Sequence, residues 1–240
     1  MSSVTPKSPP LSGLRQHLIV DADDTLWENN VYFERAIDEF LDFLDHSTLT
    51  REEARAALDE IERANAGIHG YGARAFAQSL RDCYQHLAEK ELDEKEIRGV
   101  MRFGERILEQ EIELLPGVDE TLRALANRHD LIVFTKGNHE EQRLKIDRSG
   151  IDHFFRYHGI VPEKNEAAYR ELVTQLGLDP ARTWMVGNSP KSDINPALAA
   201  GLGAVFIPHE QTWSLEFAEV DHTGERLIVL ERFEQLLAHF

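Results

Sequence analysis

The chain has 240 residues, enough for one α/β domain or for a core domain carrying a smaller insertion. Lys and Arg total 26 against 43 Asp and Glu, and the formal charge of -17 gives a surface that repels nucleic acid and anionic membrane. Cys83 is the single cysteine, which excludes an internal disulfide and argues against a cysteine-based metal site.

Residues 1–13 are polar and Pro-rich and read as a flexible tail without the apolar stretch of a secretory signal. No apolar run has the length of a bilayer span, so a cytoplasmic location is expected. The first apolar run is Leu18-Ile19-Val20, which ends in Asp21-Ala22-Asp23-Asp24-Thr25. From 30 to 115 there is no comparable run. Helix patterns fill that interval, with capping signals at Thr50…Glu53 and Asp93…Glu96. Phe33, Ile37, Phe40, Leu41 and Leu44 form an apolar stripe at helical spacing, which reads as core packing.

After 116 the pattern alternates. Helical stretches at 117–128, 139–149, 164–176 and 194–200 separate the apolar runs at 131–134, 158–161, 184–186, 204–207 and 227–230. Unbroken β-branched runs suit strands covered on both faces. The expected fold is therefore α/β: a doubly wound, mostly parallel, Rossmann-like sheet with an inserted all-helical cap. The core is expected over 14–29 and 116–240, and the cap over 30–115.

Ligands of such sheets bind beyond the C-terminal strand ends. Asp21 and Asp23 follow the first run, Thr135-Lys136-Gly137-Asn138 the second, Lys164 the third, and Gly187-Asn188-Ser189 the fourth, with Asp193 shortly after. Carboxylates gathered at one edge repel unless a cation sits among them, and oxygen ligands suit Mg²⁺. Mg²⁺ favours phosphate oxygens, and a carboxylate can attack phosphorus. A second carboxyl two residues on can protonate the leaving oxygen and then activate water. Thr135 and one of Lys136, Lys164 and Lys191 can neutralise and orient the phosphate. Near the hinge and in the inserted segment, Trp27, Asn30, Tyr32, Tyr71 and Arg74 are candidates to face the substrate; His209 and Trp213 are weaker ones.

These motifs resemble the haloacid dehalogenase-like hydrolase superfamily over residues 17–210. LIVDADDTLW at 18–27, LIVFTKGN, VPEKNEAAY and WMVGNSPKSD stand where that family has its four motifs. The resemblance implies that Asp21 is the nucleophile and Asp23 the general acid/base, with the Asp23 carbonyl on magnesium. It further implies that Thr135 is the phosphate-binding hydroxyl, Lys164 the motif lysine, and Asp193 the surviving acid of the metal set. Asn188 departs from the pattern, standing where the family usually has a metal-binding acid. The expected activity is Mg²⁺-dependent hydrolysis of a small phosphorylated metabolite through an aspartyl-phosphate, with metal ligands Asp21, Asp23, Asn188 and Asp193. Phosphomutase or dehalogenase chemistry and a non-catalytic phospho-ligand binder are the alternatives. Asp23 argues against dehalogenation, which has no leaving oxygen to protonate. A phosphorelay receiver domain shares the acids, Thr and Lys but is shorter and carries its acceptor on a later strand.

Overall fold

The computed structural model describes residues 15–221 and 226–240; the expected N-terminal tail lies outside them. The strands are β1 (His17–Val20), β2 (Asp130–Lys136), β3 (Tyr157–Val161), β4 (Thr183–Gly187), β5 (Gly203–Phe206) and β6 (Leu227–Val229). They form one sheet in the order β3-β2-β1-β4-β5-β6, with every pairing parallel. The fold is a doubly wound α/β sheet.

Alternate residues of the apolar runs serve opposite faces, as the two-residue strand period requires. Leu18, Val20, Leu131, Val133, Trp184 and Val186 pack on one side with α5 (Val118–Ala126). Ile19, Ile132, Phe134 and Met185 pack on the other with Tyr169 and Leu172 of α7 (Glu166–Leu176). Burial on both faces explains why these strands show no polar alternation.

The chain leaves β1 for β2 on one side and later returns to β4 on the other. β1 and β4 therefore straddle the reversal of strand order, where such sheets open a ligand crevice. Val20 is in register with both Val133 and Val186, and the Asp21 N–H donates to the Val186 carbonyl at 2.9 Å. This pairing fixes Asp21 beside the Gly187-Asn188 turn.

Between β1 and β2 lie α1 (Asn30–Leu44), α2 (Arg51–His69), α3 (Ala73–Leu87) and α4 (Glu94–Glu105). They share their own core of Phe40, Leu58, Leu80, Cys83 and Val100. The Thr50 capping box forms with both reciprocal bonds. The one expected at Asp93 does not: Asp93 accepts from the Lys95 N–H, and Glu96 is drawn away to Lys90 and the Tyr84 hydroxyl. Of the apolar stripe, Phe40 and Leu41 are core, whereas Phe33 and Ile37 also line a cavity against the sheet edge.

α6 (His139–Arg148) follows β2, and its Glu141 anchors the insertion to the sheet. The buried Glu141 carboxylate accepts the Ala73 N–H at 2.8 Å and the Arg74 N–H at 3.2 Å, at the start of α3. A carboxylate at a helix N-terminus satisfies orphan donors and meets the positive end of the dipole. Gly72 (φ 120°) makes the approach possible, because a Cβ there would lie 2.3 Å from the Glu141 carboxylate.

Gly187 is constrained in the same way: a Cβ would meet the Asp193 carboxylate at 2.3 Å. Gly187→Ala is expected to cost about 1–3 kcal/mol through overpacking and to dislodge Asp193. Thermal melting of the variant checks this, and an unchanged melting temperature would show that the loop gives way freely.

Candidate functional site

The centre of the site is a buried ammonium. Lys164 Nζ lies 2.5 Å from Asp21 Oδ1 and 2.5 Å from Asp193 Oδ1. Lys164 precedes α7 rather than joining it, because Asn165 caps the helix by accepting the Ala168 N–H at 3.0 Å. That leaves the lysine free to turn back over the ends of β1 and β2, 3.3 Å from the Phe134 carbonyl. Burial opposes its charge, but Asp193 and Asp21 outweigh that and hold its pKa above the ordinary lysine value. Asp193 Oδ2 accepts the Ser189 N–H at 2.9 Å, so both of its oxygens are engaged.

Two carboxylates share this one cation. Burial, then the charge of Asp193, push the Asp21 carboxyl up to about 7 against the pull of Lys164. Asp21 Oδ2 and Asn188 Oδ1 face the Thr25 hydroxyl at 3.2 and 3.3 Å. One hydroxyl proton cannot serve both acceptors, so this oxygen set is short of a donor or a cation.

Asp23 is held differently. Trp27 Nε1 donates to Oδ1 at 2.8 Å, Gln142 Nε2 to Oδ2 at 2.9 Å, and Lys145 Nζ contacts both oxygens at 2.9 and 2.8 Å. Burial acts to raise its pKa, yet Lys145 and these hydrogen bonds bring it below the ordinary carboxylate value. The Thr135 hydroxyl is buried and receives Gln142 Nε2 at 3.0 Å.

Lys136 also reaches the site but is committed elsewhere. Its Nζ pairs with Glu216, bonds Ser192 Oγ at 3.1 Å and sits 4.3 Å from the Tyr71 ring centre. Tyr71 donates to Glu163 at 2.8 Å and meets Trp213 edge-on, with ring centres 5.8 Å apart. Lys191 bonds the Leu215 carbonyl and stays outside the cavity lining.

These groups surround a cavity of about 150 Å³ between the sheet edge and the inserted helices. Asp21, Asp23, Thr135, Lys136, Gly137, Lys164, Asn188, Asp193, Tyr71, Asn30 and Trp213 line it. The other candidates do not. Trp27 is 1% exposed and packs in the core, where it holds Asp23. Arg74 is exposed and paired with Glu140 and Glu141. Asn138 is spent on capping α6, accepting from Glu140 and Glu141 N–H. Tyr32 lines a separate small cleft. His209 sits outside the cavity with Asp24 and Glu28, where one ligand atom from each lies within 4.8 Å of the others.

Sequence reasoning did not single out Gln142, Lys145 or Glu216. The first two stand three apart on one face of α6 and point back at Asp23. The helix reads as a solvated charged segment, so the available signal was its position directly after β2.

A family model for haloacid dehalogenase-like hydrolases matches residues 16–201. The chain belongs to this family of hydrolases. Among curated proteins, a glyceraldehyde 3-phosphate phosphatase of Methanothermobacter thermautotrophicus is 31% identical over 127 residues, 50% of this chain and 56% of that protein. The chain thus matches just over half the length of that relative. A haloacid dehalogenase-like hydrolase from Xanthomonas campestris superposes with a TM-score of 0.79 at 25% identity, covering 94% of each chain. A HAD-hydrolase from Bacillus subtilis, crystallised bound to magnesium, has the same fold at 15% identity, with a TM-score of 0.68 over 94% of this chain and 98% of that one. Among the described residues no helix is long and apolar enough to cross a membrane.

The raised pKa of Asp21 has a consequence for stability. The folded protein holds this proton up to about pH 7, whereas an unfolded Asp releases it near 3.8. The group's contribution is therefore fully present below pH 3.8 and is lost as pH rises towards 7. Asp21→Asn is not subject to this loss, so in chelator its melting temperature should gain on the parent's between pH 4 and pH 7. A constant difference across that window would mean that Asp21 ionises normally.

Proposed function

We propose that the protein hydrolyses small phosphomonoesters with Mg²⁺, through an aspartyl-phosphate on Asp21. The observation that carries this reading is the arrangement around Lys164. A nucleophile-bearing carboxylate, a second carboxyl two residues on and the Thr135 hydroxyl meet at the sheet edge inside a cavity roofed by α1–α3. The phosphatase relative supports the same class of substrate.

The residues fit a hard divalent ion. Asp21 Oδ2 and the amide oxygen of Asn188 share a single hydroxyl proton, and oxygen ligands of this kind suit Mg²⁺. Asp21, Asn188 and the Asp23 carbonyl would hold it, with Asp193 contributing charge while positioning Lys164. When bound, the ion neutralises phosphate oxygens and draws off charge that the two carboxylates otherwise leave unbalanced.

Asp21 attacks phosphorus in line, and the bond to the leaving oxygen breaks. Thr135 and Lys164 orient and neutralise the phosphoryl oxygens. Asp23 gives its proton to the leaving oxygen and then takes one from the water that cleaves the aspartyl-phosphate. Lys145, Gln142 and Trp27 favour its ionised form, which suits the second half of the cycle. The negative phosphate arriving beside it raises its pKa for the first. The helices α1–α4 act as a cap that screens the intermediate from bulk water. With a net charge of -17, neither nucleic acid nor anionic membrane is a partner on this reading.

An aryl phosphate should be turned over with Mg²⁺ and not with chelator, and Asp21→Asn should lose about a thousandfold or more of the rate. No metal-dependent turnover across a phosphometabolite panel would sink the enzymatic reading, and an active Asp21→Asn would place the nucleophile elsewhere. Asn188→Asp should lower the half-saturating Mg²⁺ concentration about fivefold, the effect of roughly 1 kcal/mol from one added charge. An unchanged Mg²⁺ requirement would remove residue 188 from the ligand set.

A further inference from the structure

The half of the cavity away from Asp21 is walled by the inserted helices. Phe33, Ile37, Ala66, Ala75 and Phe76 make much of it apolar, with Glu34, Ser79 and, from α2, Glu62 also on this wall. The other acids near Glu62 are partnered. Arg55 gives Nη1 and Nη2 to Glu34 at 2.7 and 2.9 Å, and Nε to Asp59 at 2.8 Å. Among the described residues Glu62 has no hydrogen bond and no ion pair. Burial pushes its carboxyl up to about 8, the charge of Asp59 adds to that, and Arg55 opposes it. Glu62 is half-buried, so its carboxyl is left to bond water or a donor on a ligand in the cavity.

The cationic side of the cavity points the same way. Among the described residues the basic ones lining it are Lys136, Lys145 and Lys164, and each is already held by a carboxylate. The inserted helices contribute no basic side chain to the lining. A second anionic group on a substrate would meet Glu62 rather than a counter-ion.

We propose that Glu62 is a specificity-determining residue that accepts a hydrogen bond from an amine or hydroxyl on the leaving group, so that substrates are small phosphomonoesters bearing such a donor and no second anion. The inference rests on the phosphatase reading above for its reaction, but not for its geometry.

The test compares ethanolamine phosphate, propyl phosphate and phosphoglycolate with the full chain in Mg²⁺. kcat/KM should be highest for ethanolamine phosphate and lowest for phosphoglycolate. Glu62→Leu, and to a lesser degree the near-isosteric Glu62→Gln, should cut the preference for ethanolamine phosphate over propyl phosphate by about ten- to a hundredfold, the usual effect of losing one charged hydrogen bond. Glu60→Gln, an exposed acid on the same helix, should leave that ratio unchanged. Melting curves confirm that the variants fold. The same three ligands are also titrated calorimetrically into Asp21→Asn with and without Glu62→Leu. Turnover of an aryl phosphate without any preference among the three, or a preference that survives Glu62→Leu, overturns the role of Glu62 and leaves the phosphatase reading standing. No turnover, with a binding preference that Glu62→Leu erases, overturns the phosphatase reading and retains Glu62.

Discussion

A buried lysine between two buried carboxylates organises this site. Removing three charges from water is expensive, and such a set survives only where geometry and further hydrogen bonds compensate. The fold supplies both. Asp21 is pinned by its N–H to Val186, and Asp193 by the Ser189 N–H. Gly187 leaves room for the Asp193 carboxylate where any side chain would collide with it. One lysine serves two carboxylates in a desolvated pocket, and burial first, then the charge of Asp193, raise the pKa of Asp21. The cluster is therefore poised to gain a cation, and the shared Thr25 hydroxyl places that need on the side of Asp21 that faces Asn188.

The inserted helices complete the chamber through a few polar contacts rather than a shared apolar core. Their hydrophobic cluster is separate from those on the two faces of the sheet. What joins them at the site is Glu141 at the start of α3, together with Tyr71 lying between Lys136, Glu163 and Trp213. Contacts of this kind exchange readily with water, unlike a continuous core. A unit tied in this way can move as a body while each part keeps its internal packing.

The parts of the site that are legible in the sequence are those that stand at or directly after a strand end. Asp21 and Asp23 follow a buried strand directly, and Thr135 ends the next one, so strand ends alone bring them together. Lys164 was harder, with Lys136 and Lys191 as rivals, because only the Asn165 cap decides that the residue before α7 turns inward. Trp27 and Asn138 were misplaced for a common reason. Each has a local partner, Asp23 for the indole and the first N–H groups of α6 for the amide. Arg74 went astray because two acids on α6, far away in sequence, capture it at the surface. Gln142, Lys145 and Glu62 had no local signature, since their roles exist only once the helices are docked.

The charge balance of the chamber links these points. Every lysine on its wall is bound to a carboxylate, so an entering phosphate meets no idle positive charge among the described residues. On the proposed phosphatase reading, attraction to the site would come from exchange, with phosphate oxygens taking up Lys164 in place of Asp21. At the far end the wall offers an acid instead of a base. On the proposed reading the two ends present opposite demands, an anion at the sheet edge and a donor under the helices, with Phe33 and Phe76 among the residues that line the cavity. If both proposals hold, a bipolar chamber of this kind orients its ligand before any chemistry begins, because the reversed pose would place the phosphate against Glu62.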